Sequence, residues 1–327
     1  MASTDLPAAA ATAGQIPPVP AMFETVTAPQ PAPAEAPAPV VAEAKVEAQP
    51  NSVPEHPEPQ NALTQKFTEK EWAALRDFRA TLPQLLKDSY ADEPSKVPTS
   101  VKLWGVELNL DGVKTAKESV VLMKFLRARN LSVQEAGRMI VNTIRWREEF
   151  KVDEALQEQF PEEVFGSLGR IYGKDKGGRP VIYNMYGGNQ DLKEIFRDTD
   201  RFMRWRVALM ERSVLLLDFE TIDQTVQIHD YLGVGMGSRT PESKRAVAEA
   251  TNVFQSHYPE LLYKKFFVNV PTIMSWLFWA FKAFLPAATI AKMSVVGTGS
   301  HAIGKELLPV IDKSELPERY GGEAKDF

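Results

Sequence analysis

Residues 225–237 read TVQIHDYLGVGMG, and their pattern decides the architecture. Val226, Ile228 and Leu232 alternate with Gln227, His229 and Tyr231 at the period of two that a strand imposes, and a glycine loop follows. One face of this strand is predicted to be mostly apolar. The other carries an amide, an imidazole and a phenol in a row, which a strand at the centre of a core has no reason to carry unless something polar faces them.

The same strand character recurs in SLGRIY at 167–172, PVIYNMYG at 180–187 after a KDKGG turn, KFFVNV at 265–270 and KMSVVG at 292–297. Helical patterns near 200–218, 242–255 and 272–285 separate them, so an α/β sheet layered with helices is expected. The short link between the first two strands predicts an antiparallel hairpin, and the longer links allow parallel crossovers. Upstream the pattern is helical. Thr68 and Glu71 stand at capping-box spacing ahead of Trp72, Leu75 and Phe78, an apolar face predicted to end at Pro83. A second helix covers KESVVLMKFLRARN at 117–130. A third starts from Ser132 and Glu135, again at capping-box spacing, and runs through Met139, Ile140, Thr143 and Trp146 to Phe150.

The 327 residues suffice for one large domain or two small ones with a substantial core. The absence of cysteine excludes disulfides, thiolate metal sites and cysteine nucleophiles, and is compatible with a cytosolic setting. The net charge of −5 is unevenly placed: residues 1–60 hold seven acidic residues against one lysine, leaving the remainder near +1. That total gives no support to nucleic-acid binding through a basic face, and no nucleic acid is expected as a partner. The same 60 residues contain 13 of the 24 prolines, in runs such as APQPAPAEAPAPVVAEA, and show no hydrophobic period. They are expected to be a disordered tail, partly polyproline II, with neither the basic-then-apolar order of a secretory signal nor the arginines of a mitochondrial one. The division expected is a Pro/Ala-rich acidic tail over 1–63, a helical N-terminal subdomain over 64–160 and a ligand-binding α/β domain over 161–327.

Several motifs are decoys. GTGSHAIGKE at 297–306 matches a phosphate-binding loop except at its last position, where Glu306 replaces the hydroxyl that would hold magnesium. GVGMGS at 233–238 has Ser238 where a dinucleotide turn needs its third glycine, and a loop of positive φ values explains it better. With four histidines, no HExxH pair and no GxSxG elbow, hydrolytic chemistry has no home. The segment PTIMSWLFWAFKAFLP at 271–286 is apolar on every side, with Trp276, Phe278, Trp279, Phe281 and Phe284, yet is shorter than the roughly 20 residues a bilayer span requires. It reads either as a buried core helix or as a lid over an apolar cavity whose aromatics touch a membrane interface.

Arg206 is the second anomaly. It lies four residues after Phe202, three before Leu209 and four before Met210, inside the apolar stripe of its helix. A guanidinium there needs an internal carboxylate, for which Asp230 and Glu260 are candidates, or a bound acidic ligand. Tyr186 shares its strand face with Asn184 and Ile182, and Lys265 is expected to share one with Phe267 and Asn269. Singly each is an ordinary core polar group; together beside an apolar helix they resemble the polar floor of a large hydrophobic pocket.

VVLMKFLRARNLSVQEAGRMIVNTIRWREEF, HYPELLYKKFFVNVP and LPERYGG, in that order over roughly residues 66–322, resemble the CRAL-TRIO, or Sec-fourteen-type, phosphatidylinositol-transfer family. YNMYG, FMRWRVALMERSVLLLDF and QIHDYLGV are similar to its fungal nonclassical branch, which binds haem. The resemblance implies a CRAL-TRIO fold, mainly parallel, enclosing an apolar pocket. It implies phosphatidylinositol as partner and ferric haem b as cofactor, in a cytoplasmic protein peripherally associated with endoplasmic reticulum or microsomal membrane. Residue by residue, it places the iron's axial ligand on Tyr231, a neighbouring imidazole on His229, and further cofactor-binding positions on Tyr186, Arg206 and Lys265. A phenolate is a hard anionic donor that favours ferric iron, and metal and a nearby cation are both expected to lower its pKa from near 10. Arg206 and Lys265 suit haem propionates or the phenolate. Two functions follow as expectations: lipid binding and transfer with haem in the same protein, or a dedicated, peroxidase-like haem protein of redox or stress response with little lipid transfer. Neither implies catalytic turnover by these residues.

Overall fold

The computed structural model of the chain describes residues 58–91, 93–98, 100–109, 113–187, 192–234, 240–270 and 291–327. The first helix, α1 (Glu69–Ser89), opens on a complete capping box: Thr68 accepts from the Glu71 amide and the Glu71 carboxylate accepts from the Thr68 amide. It does not end at Pro83. Leu82 and Leu86, both buried, carry it across that residue, because their burial at about 2 kcal/mol each offsets the roughly 3 kcal/mol cost of an interior proline. α2 (Ala116–Arg127) and α3 (Val133–Phe150) follow, and in α3 only half of the expected box forms, Ser132 accepting from the Glu135 amide at 3.4 Å.

Between α1 and α2 lies a further hairpin, β1 (Ser100–Leu103) paired with β2 (Val106–Asn109). Trp104 (φ 54°) and Gly105 (φ 81°) form its two-residue turn, with both φ values positive as the tightest hairpin turns require. The turn drives the Trp104 ring into the core, stacked between Phe125, Phe219 and Tyr258 at 5.7, 6.4 and 6.3 Å. Anchoring begins before Thr64. Glu58 pairs with Arg79 at 2.8 Å, and the Asn61 amide donates to the Phe219 carbonyl at 2.9 Å.

After the short α4 (Val152–Gln157) the chain forms a five-stranded sheet from β3 (Gly169–Lys174), β4 (Pro180–Met185), β5 (Thr225–Asp230), β6 (Leu262–Val268) and β7 (Met293–Val295), in sequence order. β3 and β4 are the antiparallel hairpin that the short KDKGG link dictates, and the remaining pairs are parallel. Helices α5 (Leu192–Arg197) and α6 (Thr199–Val214) cross from β4 to β5, and α7 (Pro241–His257) from β5 to β6. The crossover between β6 and β7, with the expected aromatic helix over 272–285, lies outside the described residues.

The sheet separates two environments. On one face Val181, Tyr183, Val226, Ile228, Phe266 and Val268 pack on the C-terminal helix α8 (Ser300–Leu307) and on Leu316 and Tyr320 behind it. On the other, Ile182 joins the large core built by α1 to α3, α6 and α7, so the N-terminal helices and the sheet domain share one apolar interior. The GTGSHAIGKE motif has a structural role here: Gly299 (φ 92°) caps α8, and Gly304 lets the Gly321 backbone approach so closely that a Cβ would sit 3.2 Å from its Cα.

Candidate functional site

The parallel register answers the question posed by residues 225–237. Asn184 is opposite His229, and Ile182 opposite Gln227; Gln227 is then opposite Lys265, and His229 opposite Phe267. Side chains alternate across a strand, so Asn184 and Tyr186, Gln227, His229 and Tyr231, Lys265 and Phe267 are brought to one face. β5 is buried along its whole length, and the polar row on it is closed off from solvent. It forms a floor.

Four rings make up the centre of that floor. Tyr186 lies 5.5 Å from His229 and 5.6 Å from Tyr231, and Phe267 closes the circuit at 5.6 Å from His229 and 6.3 Å from Tyr231. Val234, Val270, Met293 and Val295 extend it with apolar surface. Gln227 fixes the imidazole, its Oε1 lying 3.3 Å from His229 Nε2.

Arg206 enters from α6. Its guanidinium lies over the Phe254 ring of α7 at 4.7 Å and hydrogen-bonds Tyr186, but its Nη1 has no protein partner although the residue is only 5% exposed. Neither expected carboxylate reaches it. Glu260 pairs with Lys292 at 3.0 Å. Asp230 points to the opposite face, where it accepts from Tyr320 Oη at 2.9 Å, Asn269 Nδ2 at 2.8 Å and the Leu232 amide at 2.9 Å. Glu211, also on α6, is taken by Arg147 at 2.6 Å and by Tyr258 at 2.7 Å.

Asn269 corrects another expectation. Its φ of 54° breaks the alternation that would have put it beside Lys265 and Phe267, and turns its amide to Asp230 instead. The Asp230 carboxylate thereby ties together the ends of β5 and β6 and the C-terminal segment, immediately next to Tyr231.

Electrostatics follow from this placement. Burial pushes the Tyr231 phenol well above its ordinary pKa, and the neighbouring Tyr186 adds to the shift. The cation expected to lower Tyr231 acts on Tyr186, where burial still outweighs Arg206 and leaves the pKa raised. Burial, and then the positive charge of Lys265 and Arg206, holds His229 well below the usual imidazole range, so it is neutral at pH 7. Burial and Arg206 pull Lys265 down to about 8. The face thus presents two cations, a neutral imidazole and protonated phenols, with no carboxylate among the described residues on it. Among the described residues no group of three or more histidines and carboxylates gathers to hold a metal ion.

All five residues singled out in the sequence, Tyr186, Arg206, His229, Tyr231 and Lys265, therefore lie on or over one sheet face. Phe254 came from no motif, and nothing in its helical pattern distinguishes it from a core aromatic.

A mainly parallel sheet whose helical crossovers cover an interior face with a polar centre is the architecture of a CRAL/TRIO domain, and residues 166–322 match that family. The chain belongs to the CRAL-TRIO family, and proteins named Sfh5 are among its relatives. It is 36% identical over 270 residues to "Phosphatidylinositol transfer protein sfh5" of Sclerotinia sclerotiorum, covering 77% of this chain and 62% of that protein, so it spans only about three fifths of that relative. It is 33% identical over 271 residues to "Phosphatidylinositol transfer protein SFH5" of Cryptococcus neoformans var. neoformans, covering 75% of this chain and 90% of that one. A crystal structure of Sfh5 superposes with a TM-score of 0.66 at 28% identity, over 80% of this chain and 90% of that chain.

Proposed function

We propose that the chain binds and transfers phosphatidylinositol and carries ferric haem b on the inner face of its sheet, with Tyr231 as the donor to iron. The observation that carries this reading is the buried Arg206, with Nη1 unmatched, and the half-buried Lys265, set beside a four-ring floor where none of the carboxylates of the described residues pairs with either. Buried charge without a partner is destabilising, so the site calls for an anion, and the rings call for that anion to have a large apolar body. Phosphatidylinositol meets both demands, and the relatives' names point to it. Haem meets them through its propionates and macrocycle. The residues fit it: Arg206 Nη1 and Lys265 would take the acid groups, Tyr186, His229 and Phe267 would line the ring, and the Tyr231 phenol would lose its proton to iron. Ferric haem, when bound, supplies a redox-active Lewis acid.

A phenol and a neutral imidazole side by side are more than a lipid phosphate needs, and this favours a second reading, a dedicated haem protein of redox or stress response with little lipid transfer. Both are binding functions. Among the described residues no helix is long and apolar enough to cross a membrane, and the proposal places the protein in the cytoplasm, visiting endoplasmic reticulum membrane peripherally to exchange lipid.

The test is purification of the full chain, absorption spectroscopy before and after ferric protoporphyrin IX is added, and transfer of labelled phosphatidylinositol between vesicles. The proposal expects a Soret band and measurable transfer. A Soret band without transfer favours the second reading, whereas a folded preparation that takes up neither ligand refutes both.

A further inference from the structure

Asn184 is 1% exposed and sits on β4 between Ile182 and Tyr186. Neither its Nδ2 nor its Oδ1 has a hydrogen-bond partner. Native proteins keep few buried amides in that state, because each unmatched atom has given up its hydration for nothing; a leucine of similar size would fill the same space without this penalty. Two neighbours show what lies above it. Its partner on β3 is Gly169, where a Cβ would fall 2.6 Å from Leu209 Cδ2 and 3.0 Å from Trp205, so the turn of α6 that carries Arg206 presses onto the sheet here. Arg206, whose Nη1 is the other unmatched group of this face, hydrogen-bonds Tyr186, two residues along from Asn184. Two orphaned side chains flank one tyrosine.

We propose that Asn184 is a ligand-recognition residue that works with Arg206 to hold an oxygen group able both to accept and to donate a hydrogen bond: a hydroxyl or a singly protonated acid. The chemistry follows from what is unmatched. The guanidinium and the amide Nδ2 offer donors, while the amide Oδ1 requires one. A fully ionised acid would satisfy the first two and leave Oδ1 bare. The hydroxyls of an inositol ring answer the description; a haem propionate beside the guanidinium is ionised and would leave Oδ1 bare. This assignment rests on the reading of the inner face as a ligand site.

The test uses the full chain carrying Asn184→Leu or Asn184→Asp, measured by thermal unfolding without ligand, by titration with ferric protoporphyrin IX and by phosphatidylinositol transfer between vesicles. Asn184→Leu is expected to leave the ligand-free unfolding midpoint unchanged or higher and to weaken phosphatidylinositol binding about tenfold, the loss of one hydrogen bond. Asn184→Asp gives Arg206 the carboxylate it lacks and should weaken that ligand further. A loss confined to lipid identifies the inositol hydroxyls; a loss confined to porphyrin overturns the assignment to a group that donates to Oδ1. If both variants take both ligands as the wild type does, the assignment is overturned and the site reading survives. A wild type that takes neither ligand removes the site reading and the assignment with it. Should Asn184→Leu fail to fold, Asn184→Asp, which keeps the side-chain shape, decides alone.

Discussion

Replacing Arg206 by methionine separates a ligand residue from a structural one. Methionine keeps the length of the side chain and its apolar stem while removing the charge. In the ligand-free protein the guanidinium has one hydrogen bond, to Tyr186, and one ring beneath it, Phe254 at 4.7 Å. A charge-assisted hydrogen bond contributes about 1.5–3 kcal/mol, and a desolvated cation–π contact about 2 kcal/mol. The desolvation of a buried ion costs several kcal/mol, which leaves a shortfall on the order of 1–2 kcal/mol. Arg206→Met should therefore stabilise the ligand-free chain, raising its melting temperature by about 2–8 °C in scanning calorimetry, given about 2–4 °C per kcal/mol for domains approaching this size. Ligand binding should move the other way. Loss of a charge-assisted contact to an acid group weakens affinity by about 1.5–3 kcal/mol, or roughly 10- to 150-fold, in a titration with ferric protoporphyrin IX. A variant that melts lower than wild type and binds the porphyrin equally well would show that Arg206 is held by its surroundings for stability, and the argument from unpartnered charge would fail.

Lys265, with its folded pKa pulled to about 8 against 10.5 when unfolded, makes the unfolded chain the better proton binder between those values, so ligand-free stability should rise as pH increases from 8. Affinity for metal-free protoporphyrin IX, which needs no phenolate, should fall over the same rise as the ammonium is lost; Lys265→Met should flatten both profiles in urea melts and fluorescence titrations, and unchanged profiles would place the effect elsewhere. Asp230→Ala strands Tyr320, Asn269 and the Leu232 amide, and should cost about 3–5 kcal/mol in urea unfolding, while Tyr320→Phe, which leaves two of the three donors in place, should cost about 1–3 kcal/mol. Equal losses from the two variants would show that the C-terminal segment, and not the carboxylate, is the centre of that junction.

Much of the sheet was legible because its strands alternate strictly and their connections are either too short or long enough for a crossover. The hairpin of β1 and β2 was equally written in the chain, with Val101, Leu103, Val106 and Leu108 inward around a Trp-Gly turn, but each strand has only four residues and its helical neighbours mask so short a period. Pro83 misled because propensity is local and the burial of Leu82 and Leu86 is not. The five candidate site residues could be collected from alternation, from one arginine in an apolar stripe and from family resemblance. What alternation could not give was which acids stay away. Asp230 looked like a partner for Arg206 until parity put it on the far face with Tyr320, and Asn269 left the polar row through a single positive φ that no period reveals. Asn184 was visible as a polar residue on the right face, but only the packed structure shows that both ends of its amide are unmatched.

The central claim is that the inner face receives an acidic, flat, apolar ligand whose iron is held by Tyr231, and the absorption and electron paramagnetic resonance spectra of ferric protoporphyrin IX bound to Tyr231→Phe test it most directly. The account predicts that wild type shows high-spin ferric signals with phenolate-to-iron charge transfer, and that the variant loses that transition while Arg206 and Lys265 still retain porphyrin weakly. Identical spectra for the two proteins would mean that the phenol does not touch the metal.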